Sequence, residues 1–177
     1  MFLRSPGFRF VALGLLLGAL VVVSSEAFAR MSVSREPWSR AVSQAVYYKV
    51  AQPTGGLFLL APFACIGCAA AAFSRNGRRI RGYCILACGT LLLSMLYVWA
   101  HLGAQHALQE HAWTASALSE GLLPLLAVPV IVVGVLFGLL ASNLASALAR
   151  NTGGGSQQER KDKGTKMWGR KRDGKGD

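Results

Sequence analysis

Residues 121–149 read GLLPLLAVPVIVVGVLFGLLASNLASALA, 29 positions without a charged side chain. A helix needs about 20 apolar residues to cross bilayer hydrocarbon, and a chain in lipid cannot leave its backbone polar groups unpaired, so a run of this length predicts a membrane-spanning helix. As one straight helix it would measure about 43 Å against a hydrocarbon core of about 30 Å. Pro124 and Pro129 offer a kink near its start, and Ser142, Asn143 and Ser146 suit an end that emerges into the interface.

Three further stretches lack charge: residues 10–25, 50–74 and 82–100, which are 16, 25 and 19 residues long. The last two qualify as spans and the first is marginal. With 53% hydrophobic and 15% charged side chains in 177 residues, the chain is too apolar for an ordinary soluble domain, and no alternation of period two suggests a barrel. The predicted fold is all-α, a small polytopic membrane protein. Its three long spans cover about 55–73, 82–100 and 121–145, with residues 1–29 forming a signal peptide or a fourth transmembrane helix.

The first segment supports both readings. Arg4 and Arg9 precede an apolar run to Val23, and Ser24, Ser25 and Glu26 lead to Ala27-Phe28-Ala29, the layout of a signal peptide cut before Arg30. Gly14 and Gly18, four residues apart, favour an uncleaved helix that packs on a neighbour. The Arg-rich, acid-free start also resembles a mitochondrial presequence.

Residues 30–54 form an outer segment in which Trp38, Val42, Ala45, Val46 and Val50 recur at helical spacing, predicting a short interfacial helix. The linker from Ser74 to Arg81 is a tight basic turn, with Asn76-Gly77 tolerating positive φ, so its flanking helices are antiparallel neighbours. From residue 150 to 177 the composition shifts to Gly, Ser, Gln, Lys, Arg and Asp, which predicts a disordered basic tail. The net charge of +11 needs no nucleic acid to explain it. With both ends and the 74–81 loop in the cytoplasm, 15 of the 19 Lys and Arg lie inside, a strong positive-inside bias that places the C-terminus in the cytoplasm, most simply of a bacterial inner membrane.

Several groups of residues are candidates for function. Cys65 and Cys68 form a C-x-x-C, and Cys84 and Cys88 stand one turn apart at similar depth on the next span, so a thiol-redox or metal site is conceivable. Cysteine is also small and apolar, and no Lys, Arg or His at that depth would stabilise a thiolate, so packing is the simpler role. The small residues Ala61, Ala64, Cys65, Cys68, Ala69 and Ala72 share a face suited to close helix approach. Gly134, Gly138, Ser142 and Ser146 recur every fourth position, giving a second helix-packing stripe. His101, His106 and His111 fall in the second outer segment, where five-residue steps keep them off one helical face, and read as interfacial histidines. The tail residues Lys161, Lys163, Lys166, Arg170, Lys171 and Arg172 suit anionic lipid headgroups or an acidic partner.

No charged residue interrupts the three long runs, and no catalytic triad, phosphate loop or paired carboxylates occur, so no enzyme activity, cofactor or nucleic-acid partner is expected. The expectation is a non-enzymatic accessory or assembly subunit of a membrane complex, in contact with the lipid bilayer and with other membrane subunits or copies of itself. The alternatives are an intramembrane thiol or metal protein, or a component of a secretion or conjugation channel. A signal peptide followed by two spans around a short basic loop loosely resembles the layout of type IV secretion pilins, from which the third span and basic tail depart.

Overall fold

The computed structural model describes the backbone of residues 6–74 and 79–169, and the side chains of 7–74, 79–118 and 121–148. The elements are α1 (Pro6–Ser34), α2 (Trp38–Ala51), α3 (Pro53–Phe73), α4 (Arg79–Gln109) and α5 (Trp113–Gly169). Among the described residues there is no strand. Four helices are long and apolar enough to cross a membrane, namely α1, α3, α4 and the Trp113–Leu148 part of α5, and α3 with 21 residues measures about 31 Å. Only 22–33% of the most apolar stretch of each span is buried within the chain, so much apolar surface is left on the outside of the helices. The protein is an all-helical, multi-pass membrane protein. The Asn76-Gly77 turn lies outside the described residues.

The chain divides into two compact units, residues 1–139 and 140–177. In the first, α1, α3 and α4 pack mutually, α1 most extensively on α3. Lipid is as apolar as leucine, so burial in the bundle brings little hydrophobic gain and close approach of backbones decides the contacts. Glycines supply that approach. A Cβ on Gly67 would lie 2.8 Å from Val11 Cα and 2.9 Å from the Phe10 carbonyl oxygen, and one on Gly14 would lie 2.8 Å from the Phe63 carbonyl oxygen, so α1 and α3 interlock reciprocally. Gly82 of α4 sits against the Ala70 carbonyl, and Gly134 of α5 against Gly89 Cα. Around these contacts Phe63, Ile66, Ile85, Leu93, Tyr97 and Leu123 are fully buried. The Phe63 and Tyr97 rings meet edge to face at 5.3 Å between centroids.

Pro62 lacks the N–H that the Phe58 carbonyl would accept and opens this turn of α3. In the same turn, the buried Tyr97 hydroxyl donates to the Leu59 carbonyl at 2.6 Å, tying α4 to α3.

Several expectations are corrected by this arrangement. The packing face of α3 is Leu59, Pro62, Phe63, Ile66, Gly67 and Ala70, whereas Ala61, Cys65, Cys68 and Ala72 of the small-residue face are exposed. In α2, the buried residues are Ala41 and Ala45, while Trp38, Val46 and Val50 are exposed, because only the alanines let the helix lie close. The second outer segment, residues 101–120, is helical except at 110–112. Helix α4 continues to Gln109 and ends where the His111 N–H reaches the Leu108 carbonyl and the Ala112 N–H reaches the Ala107 carbonyl, with His111 at φ 57°. This paired closure around a left-handed residue satisfies the last carbonyls and makes His111 a helix stop.

The helical backbone of α5 passes Pro124 and Pro129 and runs on to Gly169, through a stretch whose composition reads as disordered. Its Lys, Arg, Gln and Glu favour helix, and Gly153, Gly154 and Gly155 oppose it.

Candidate functional site

The most concentrated chemistry lies at the end of the first unit where α1 and α4 finish and α2 packs. Glu26 is 4% exposed. Its Oε1 accepts from Arg30 Nη2 at 2.9 Å, one turn along α1, and its Oε2 lies 3.1 Å from Lys49 Nζ of α2. The Lys49 contact is an ion pair not aligned as a hydrogen bond. Arg30 Nη1 donates to Gln44 Oε1 at 2.8 Å, and the guanidinium carbon stands 5.3 Å from the centre of the Tyr48 ring. A carboxylate held between two cations, each only 16–20% exposed, is costly to desolvate and strongly held once both partners are in place. The cluster thereby fixes α2 to α1. Gln109 Nε2 donates to the Val33 carbonyl at 2.9 Å and closes the same end between α4 and α1.

Beside the cluster opens a cavity of about 410 Å³, bounded by α1, α2, α3 and the start of α5. Arg30, Lys49 and Glu26 supply its charged lining, beside Tyr48, Gln52, Phe58, Ala117 and Gly121.

Along α4, His101 is 1% exposed, enclosed by the helices around it. Its Nδ1 lies 2.8 Å from the Tyr97 carbonyl oxygen, which can only accept, so Nδ1 carries the proton. Ser25 Oγ, 3.3 Å from the same nitrogen, donates to the Val22 carbonyl at 3.2 Å. These bonds place His101 as a link between α4 and α1.

The four thiols are free, with Cys65 and Cys68 exposed and Cys84 and Cys88 half-buried. Among the described residues no three His, Cys, Asp or Glu side chains come together as a metal site. Gly134 and Gly138 lie on α4, against Gly89 and the backbone of Ile85 respectively. Ser142 and Ser146 belong to the second unit, where Ser146 Oγ donates to the Ser142 carbonyl at 2.8 Å. Lys161, Lys163 and Lys166 lie on helical backbone whose side chains are not described, and Arg170, Lys171 and Arg172 lie outside the described residues.

Sequence reasoning gave Glu26, Arg30, Lys49 and Tyr97 no place in a site and read His101 as an interfacial histidine. The i, i+4 spacing of Glu26 and Arg30 beside an apolar run was the available signal. No protein-family model, curated protein or solved structure matches the chain.

Proposed function

We propose that this protein is a non-enzymatic accessory or assembly subunit of a membrane complex. The observation that supports the reading is the exposed face of α3, where Ala61, Cys65, Cys68 and Ala72 turn away from the bundle. Small side chains on a lipid-facing stripe give lipid little to grip and let another helix approach closely. The buried polar groups serve cohesion: Tyr97 and His101 join helices, and Glu26 is held between two cations. The exposed thiols make the reading testable. With Cys84 and Cys88 replaced by alanine, a photoactivatable maleimide on Cys65 or Cys68 should give one discrete protein adduct in native membranes. Labelled protein that yields no protein adduct on irradiation would count against a partner on this face.

We place the α2 end outside and the tail in the cytoplasm of a bacterial inner membrane, on the 15-to-4 asymmetry of basic residues. With the native cysteines replaced, Ser43→Cys should react with an impermeant maleimide in intact cells and Ser156→Cys should not. The reverse pattern would invert the protein.

A further inference from the structure

A second cavity, about 400 Å³ and predominantly apolar, adjoins the charged one. Val22 and Val23 of α1, Val50 of α2 and Leu57 and Leu60 of α3 form its walls, and Lys49 and Gly56 border both cavities. Lys49 therefore belongs to both the apolar and the charged cavity, a place that suits a side chain with an apolar stem and a cationic head. Gly56 adds no side-chain volume at this shared border, and a Cβ there would lie 3.4 Å from the Lys49 carbonyl oxygen.

We propose that the two cavities form one site for a single anionic phospholipid, its phosphate held by Lys49 and Arg30 and one acyl chain lying in the groove between α1, α2 and α3. The chamber's charged wall carries two cations against one carboxylate, leaving a net positive charge. Lys49 has ammonium protons beyond the one that faces Glu26, and the Arg30 guanidinium adds a second cation to the same wall. A phosphodiester supplies the acceptors. A choline headgroup would bring its own cation to the same wall, so the site selects an anionic headgroup. Tyr48 and Phe58 suit the level of headgroup and glycerol. This binding does not depend on the subunit reading and is separate from any contact of the basic tail.

Native mass spectrometry of the full chain in detergent tests it, with phosphatidylglycerol and phosphatidylcholine of identical acyl chains. The expected result is one retained phosphatidylglycerol, preferred about fivefold or more. Lys49→Gln should erase the preference and Lys49→Arg keep it. Gly56→Leu should weaken both lipids, and the triple change Lys161→Gln, Lys163→Gln, Lys166→Gln should leave the preference intact. Deacylated glycerophosphoglycerol should not compete. Equal retention of the two lipids, an unchanged preference in a Lys49→Gln protein that melts like the parent, loss confined to the tail variant, or competition by the deacylated headgroup would each overturn the proposal. Should Lys49→Gln fail to fold, Lys49→Arg and Gly56→Leu decide the matter by the same criteria.

Discussion

Replacing Gly67 by alanine should destabilise the protein by about 1–3 kcal/mol, the usual effect of overpacking, whereas the same change at Gly103 should be neutral or slightly stabilising. A Cβ at Gly67 would stand 2.8 Å from Val11 Cα and 2.9 Å from the Phe10 carbonyl oxygen, both backbone atoms that cannot rotate aside, so α1 and α3 must separate. At Gly103 nothing lies within 4 Å, and alanine lowers the entropy lost by a helical glycine. Thermal unfolding in detergent should show Gly67→Ala melting about 2–12 °C below the parent. Equal melting of the two variants would mean that α1 and α3 do not interlock here.

The second large effect is expected at Glu26. Glu26→Gln leaves Arg30 and Lys49 facing each other across a neutral amide in a largely buried site, and removal of one member of such a cluster costs about 3–5 kcal/mol. Adding Lys49→Met to Glu26→Gln should recover part of that loss by removing the stranded cation. A double-mutant cycle read by unfolding in mild detergent measures the coupling. Additive effects would place Lys49 outside the cluster.

The place of the three long spans was legible in the charge-free runs, because length without charge is all that a bilayer demands of a helix. The 16-residue first run left a signal peptide and a fourth span both open. Which face turns inward was not legible. On α3 the small-residue stripe of Ala61, Cys65, Cys68 and Ala72 faces out, and the larger Phe63 and Ile66 face in. Periodicity cannot separate the two, since inside and outside are both apolar and the decision falls to where Gly14 meets Phe63 and Gly67. His101 was read as an interfacial histidine because the apolar run was closed at Ala100, although α4 continues for two more turns to Gln109. Glu26 looked like the polar end of a leader. Its second partner, Lys49, lies on another helix, a pairing that no local spacing reveals.

Much of this structure depends on α1 remaining with the rest of the chain. Ala27 and Ala29, the residues that suggest a cleavage site, are 0% exposed, and the helix runs unbroken past them to Ser34. Cleavage after Ala29 would remove Gly14, Ser25 and Glu26, and with them the α1–α3 interlock, a partner of His101 and the centre of the ion cluster. Intact-mass measurement of protein purified from membranes is the most direct test. The expected result is a mass that includes residues 6–34. A mature chain beginning at Arg30 would contradict the four-helix bundle and leave three spans.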